Sequence, residues 1–305
     1  MKRPIYYLIA VLLLISHLSL AQTTEVYFQN DSLELEVDIF EPSEANTGKR
    51  PLFLYVHGGG FSGGNKTAGH AISQYLAGKG LVAASIQYTL YMKDKNFSCG
   101  GVTSEKVKAI QISANQLKMA TLFFIENAEK YNIDPTQIFI AGASAGAECI
   151  LHAAYWDEAT MNVYEKPWPA DFRYAGMIAS SGAIMDLNLI QKDNAIPTLL
   201  SHGTCDTAVP YGTAAHHYCP VTATGWLMLF GSHSIYEHLI SLDKSTQLYT
   251  YCNGSHDYHS YLFKNQKEEV YQFIQSILQK SKVQKHWMVN TQDECGRFSA
   301  PSFCE

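Results

Sequence analysis

The chain has 305 residues, 47% hydrophobic and 16% charged, with 21 glycines and 10 prolines dispersed along it. That composition suits one large globular unit or two ordinary ones and excludes a long disordered tail. The formal net charge is −6, or near −8 without Lys2 and Arg3, when 20 basic side chains face 28 acidic ones; this disfavours nucleic acid and anionic membrane surfaces as partners.

The N-terminus reads as an export signal. Lys2 and Arg3 precede an apolar run over residues 5–15, and Ser19-Leu20-Ala21 supplies small residues for a signal peptidase. Cleavage is expected after Ala21, giving a secreted or periplasmic protein, with an uncleaved N-terminal anchor as the alternative. The run is short for a bilayer span and is broken by Ser16 and His17, so no stable membrane insertion is expected. All seven cysteines follow the expected cut. Export permits disulfides, and the odd count leaves at least one thiol unpaired in the monomer or bridged to another chain. Cys149, set among small residues of an expected helix, is the candidate free thiol. The other six allow 15 complete pairings, and Cys205, beside Asp206, is the one expected to tether a functional loop. None has zinc-finger spacing, so neither a metal site nor a cofactor is indicated.

Val26-Tyr27-Phe28 and then Leu33, Leu35, Val37 and Ile39 alternate with polar residues, as in an antiparallel strand pair with one wet face. A polar connection over 42–49 leads to residues 51–56, continuously apolar as a strand covered on both faces should be. A helix over 68–79 stops at Gly80, and 81–86 forms another buried strand. Val107, Ile110, Leu117, Leu122 and Phe123 give 104–131 a helical apolar face. Asp134-Pro135 turns the chain into a strand over 138–143, followed by a helix. Residues 155–172 are irregular and aromatic, with Tyr155, Trp156, Tyr164, Trp168 and Phe172 as a candidate pocket wall. Further strands are expected at 174–179, 196–201 and 247–252, with helices at 234–242 and 264–279. Residues 282–305 show no readable period and are treated as a tail packed on a 22–281 domain. Alternating buried strands and helices imply an α/β architecture: a mostly parallel, doubly wound sheet of eight strands with helices on both faces.

Four loops after strands stand out. Gly142-Ala143-Ser144-Ala145-Gly146 has the spacing of a nucleophile turn, where small flanking residues let a helix approach a strained serine. Upstream, His57-Gly58-Gly59-Gly60 directs backbone N–H groups into open space after a buried strand, without the spacing of a phosphate loop. Downstream come His202-Gly203-Thr204-Cys205-Asp206 and Gly254-Ser255-His256. Loops at the carboxyl ends of strands converge in such a sheet, and the chain order serine, acid, histidine separates this arrangement from the two common protease orders.

These pieces resemble the α/β-hydrolase superfamily, specifically esterases carrying an HGGG motif, similar to the hormone-sensitive-lipase and bacterial carboxylesterase or feruloyl-esterase-like groups. The resemblance runs from residue 25 to residue 279. It implies catalytic Ser144, Asp206 and His256, an oxyanion hole from the amides of Gly59, Gly60 and Ala145, and an acyl-enzyme route for hydrolysing carboxylic esters of small or carbohydrate-linked acyl groups. Phe61, Tyr88 and Trp156 are the candidate substrate-pocket residues. His57 is expected to anchor the glycine loop, His259 to pack on the terminal helix, and Asp257 to be a poorer acid than Asp206 because it adjoins residue 256. A peptidase or amidase on the same fold is the alternative activity, and a non-catalytic binding module the alternative from another class.

Overall fold

The computed structural model describes residues 21–43, 48–161, 167–295 and 303–304. All of the expected 1–21 leader except Ala21, and also Tyr164, lie outside these. Among the described residues no helix is long and apolar enough to cross a membrane.

In chain order the strands are β1 (Ala21–Asn30), β2 (Leu33–Glu41), β3 (Arg50–Val56), β4 (Val82–Ile86), β5 (Ile133–Ala143), β6 (Gly176–Ser180), β7 (Ala183–Ile184), β8 (Thr198–Gly203), β9 (Thr213–Ala215), β10 (Met228–Gly231), β11 (Thr246–Cys252) and β12 (Gln284–Asn290). The helices are α1 (His70–Gly78), α2 (Thr103–Glu126), α3 (Ala145–Tyr155), α4 (Glu158–Met161), α5 (Ser232–Ser241), α6 (Tyr261–Asn265) and α7 (Lys267–Leu278). Nine strands form the main sheet in the order β1-β2-β4-β3-β5-β6-β8-β11-β12. The β1–β2 and β2–β4 pairs are antiparallel and the rest parallel. This is the α/β-hydrolase fold.

The apolar runs behave as both faces being covered requires. In β3, Leu52, Leu54 and Val56 point into the core beneath α2, α3 and α5, while Phe53 and Tyr55 point into the one beneath α1, α6 and α7. Period two therefore places every side chain from Leu52 to Val56 in one core or the other.

Three details differ from the sequence reading. The sheet has nine strands instead of eight, because β12 forms from the supposed tail. It is an exposed edge strand, so no run of buried residues marks it. Its signal is the alternation of Trp287 and Val289, with Trp287 stacked on Tyr249 at 4.4 Å between ring centroids. The stretch 211–231 folds with β7 into a small sheet of order β7-β10-β9, whose strands are too short for periodicity to register. The terminal helix is two pieces, α6 and α7, broken at Gln266.

Candidate active site

Four loops leave the carboxyl edge of neighbouring parallel strands and meet above β5. Ser144, at the end of β5, has φ 55° and ψ −125°, left-handed backbone that a side chain adopts only under constraint. Its amide donates to the carbonyl of Ser180 in β6 at 2.8 Å, and its carbonyl accepts from the Glu148 amide at 3.0 Å, which fixes the turn from β5 into α3. The flanking glycines are steric necessities. A Cβ on Gly142 would stand 2.4 Å from the Gly146 carbonyl oxygen, and one on Gly146 would stand 2.2 Å from that of Val56.

The serine Oγ lies 2.9 Å from His256 Nε2, and His256 Nδ1 lies 2.6 Å from Asp206 Oδ2. The carboxylate only accepts there, so Nδ1 carries the proton and Nε2 is left to accept from the serine. Asp206 is fully buried. Besides His256 it accepts from the amides of Ala208 at 2.8 Å and Val209 at 2.9 Å, and from His202 Nε2 at 3.2 Å. Desolvation, the largest influence on this carboxyl, pushes its pKa up, but the hydrogen bonds from His202 and His256 outweigh it and hold the group well below the ordinary carboxylate range. The acid and histidine loops are packed together: Cys205 N donates to the Gly254 carbonyl at 2.9 Å, and a Cβ on Gly203 would come 2.2 Å from that oxygen. The Cys205–Cys295 disulfide ties the acid loop to the segment after β12. The other bridges are Cys99–Cys219 and Cys252–Cys304, and Cys149 is a buried free thiol. Asp257, the rival acid, is exposed and accepts from the Ser255 hydroxyl instead.

A cavity of about 310 Å³ opens at Ser144. Gly59, Gly60 and Ala145 line it beside the serine, the positions that the oxyanion assignment requires. Two of the three candidate pocket residues are buried and lie behind this wall. Phe61 packs its edge against Phe97, which does line the cavity, and Tyr88 donates to the His57 carbonyl at 2.9 Å while stacking on the His57 ring at 4.2 Å. They brace the glycine loop. Trp156 lines a different cavity, of about 350 Å³, with Trp168 and Phe172; it lies at the opposite end of α3 from Ser144, about 18 Å away at 1.5 Å per residue. His57 Nδ1 donates to the Gly58 carbonyl at 2.7 Å, and burial lowers its pKa to about 4, so the ring is a neutral anchor of the loop. His259 stacks on His256 at 5.0 Å and lines the cavity.

Other residues of the site escaped the sequence reading. His202 follows four other buried strand residues and reads as the strand's end. His216 and His217 come from a short irregular loop. Glu148 carries the one signal that could have found it, a charged residue in an otherwise small and apolar first turn directly after the nucleophile. It is 1% exposed, and desolvation raises its pKa to about 8.

The sequence profile of the family described as BD-FAE matches residues 37–184. The chain has the α/β-hydrolase fold, and the sequence similarity it carries is to esterases. Among curated relatives, the fumonisin B1 esterase of Sphingopyxis macrogoltabida is 26% identical over 118 residues, covering 38% of this chain and 22% of that protein. An isoprenylcysteine alpha-carbonyl methylesterase of Arabidopsis thaliana is 28% identical over 124 residues, 41% of this chain and 25% of its own length. The chain thus spans about a quarter of the length of these relatives. Among solved structures, Thermogutta terrifontis esterase 2 phosphoramylated by tabun superposes with a TM-score of 0.63 at 16% identity, covering 84% of this chain and 94% of that one. Its propionate-bound form gives 0.59 at 14% identity, covering 85% and 93%.

Proposed function

We propose that this α/β-hydrolase is an exported serine esterase that cleaves carboxylic esters of small or carbohydrate-linked acyl groups through an acyl-enzyme. The observation that carries the reading is the continuous contact from Ser144 Oγ through His256 to the buried carboxylate of Asp206. In this reading Oγ attacks the ester carbonyl carbon as its proton passes to His256 Nε2, and Asp206 stabilises the imidazolium that results. The carbonyl oxygen gains charge against the amides of Gly59, Gly60 and Ala145, each such donor worth about 3 kcal/mol of barrier. His256 then gives its proton to the departing alcohol. Water enters along the same path, deprotonated by the same imidazole, and its attack on the acyl carbon releases the carboxylic acid and restores Ser144. Export is supported by the basic-then-apolar N-terminus and by three disulfides.

The test is hydrolysis of p-nitrophenyl acetate set against aminoacyl anilides. The reading expects turnover of the ester and none of the anilide. Anilide cleavage at a comparable rate would make the protein an amidase on the same fold.

A further inference from the structure

One wall of the cavity at Ser144 is polar in a way that ester hydrolysis does not use. Glu148 sits one helical turn past the nucleophile and is fully buried, yet neither of its carboxyl oxygens has a hydrogen-bond partner among the described residues. His216 faces it, also buried, with Nε2 3.6 Å from Glu148 Oε1, too long for a direct hydrogen bond, and with Nδ1 unpartnered. His217 is the third such side chain, and its Nε2 is the fourth buried atom there without a partner among the described residues. All three side chains line the same cavity as Ser144 and His256.

An unsatisfied buried polar group costs about 1–3 kcal/mol, so three of them along one cavity wall call for an explanation. The loop carrying the histidines is held in place against its own preference: His217 and Tyr218 both have left-handed backbone, at φ 55° and 51°. The Cys99–Cys219 disulfide closes it onto the segment bearing Phe97, whose ring meets that of His216 edge-on at 5.0 Å. Backbone strain held by a covalent tie suits a site whose geometry is functional.

The surroundings select the kind of group that fits. Buried Lys106, whose ammonium donates to the Gly225 carbonyl at 2.6 Å, lies within electrostatic range of Glu148, His216 and His217 and opposes a substrate cation. The ionised carboxylate of Asp206 opposes an anion. Burial keeps the carboxyl protonated and the imidazoles neutral near neutral pH. The wall therefore presents uncharged groups that can both give and accept hydrogen bonds, and the chemistry that matches them is a hydroxyl.

Building on the esterase reading above, we propose that Glu148, His216 and His217 form a recognition subsite for a neutral hydroxyl group of the substrate. The enzyme then favours esters whose cavity-filling portion ends in a hydroxyl over isosteric esters ending in a methyl. A site built around a substrate hydroxyl rejects the analogue lacking it, because its own polar groups are then left unpaired.

Two isosteric series test this: methyl esters of ω-hydroxy acids against those of fatty acids with the same number of heavy atoms, and acetates of short diols against alkyl acetates. In at least one series and chain length, kcat/KM for the hydroxylated ester should exceed that of its isostere by about tenfold or more. Glu148→Leu and, independently, His216→Phe should reduce that ratio. A wild-type ratio within about twofold throughout both series overturns the proposal even if neither variant folds, as does a ratio unchanged in folded variants. In both cases p-nitrophenyl acetate hydrolysis leaves the esterase reading standing. If the wild type hydrolyses no ester, that reading falls and this proposal falls with it.

Discussion

His202 and His256 both direct a ring nitrogen at one oxygen of Asp206, at 3.2 and 2.6 Å. His202 Nε2 also lies 3.1 Å from the Val209 carbonyl, and two acceptors there mean that this nitrogen carries the hydrogen. Its Nδ1 then accepts from the Ser232 hydroxyl at 2.9 Å. The imidazole is thus a fixed donor that orients the carboxylate for its partner. His202→Leu should lower kcat by about tenfold or more through loss of that orientation. His202→Gln, which keeps a donor, should recover part of it. Steady-state kinetics alongside thermal melts separate this from simple destabilisation, since recovery of kcat at unchanged Tm is the expected signature.

The two neighbouring histidines after β11 differ in position and should differ in effect. His256→Ala removes the base within reach of Ser144 Oγ, and kcat should fall by about 10⁴-fold or more. His259 contributes its Nδ1–H to the His256 carbonyl at 2.7 Å and its face to the His256 ring. His259→Ala should therefore retain measurable turnover of p-nitrophenyl acetate. Equal losses in the two variants would overturn the assignment of the base.

The disulfides serve different parts of the site. Cys205–Cys295 holds the loop of Asp206, whereas Cys99–Cys219 holds the cavity wall of Phe97, His216 and His217. Replacing both members of either pair by serine should cost about 2–4 kcal/mol of stability by urea unfolding. In the fraction that folds, loss of Cys205–Cys295 should act mainly on kcat and loss of Cys99–Cys219 mainly on KM.

Buried titratable groups give stability a maximum near pH 6.5. His57 and His152 are held at about 4 by burial. Between that value and 6.5 the unfolded chain binds protons that the native state refuses, so stability is lost as pH falls through this window. Glu148, raised to about 8, does the reverse: from 4.5 upward the native state keeps a proton that the unfolded chain has released, so stability is lost as pH rises toward 8. One group contributes at most about 1.4 kcal/mol per pH unit. Urea unfolding across pH 5–8 should show the maximum, and Glu148→Gln should flatten its alkaline side.

The sequence carried the positions of the sheet's buried strands, because runs such as Phe53-Leu54-Tyr55 must be covered on both faces, and it carried the turn at Ser144, which requires glycine at 142 and 146. The same logic set Ser144, Asp206 and His256 after three buried strands, which are β5, β8 and β11. What it could not carry was depth. Phe61 and Tyr88 are adjacent to the site in sequence, yet their side chains turn into the core, and Trp156 is a full helix length from Ser144 although it belongs to the same element. Glu148, His216 and His217 meet only through packing between α3 and a loop more than sixty residues later, and β12 forms an exposed edge whose alternation is faint. Side-chain direction across elements is a property of tertiary packing, and a linear pattern does not encode it.

The central claim is that Ser144 is the nucleophile of an ester hydrolase, and fluorophosphonate labelling with peptide mapping tests it most directly. The account predicts one covalent adduct on the folded protein, at Ser144, with p-nitrophenyl acetate hydrolysis lost in proportion to labelling and absent in Ser144→Ala. An unlabelled Ser144 in active protein, or hydrolysis that persists in Ser144→Ala, would contradict it.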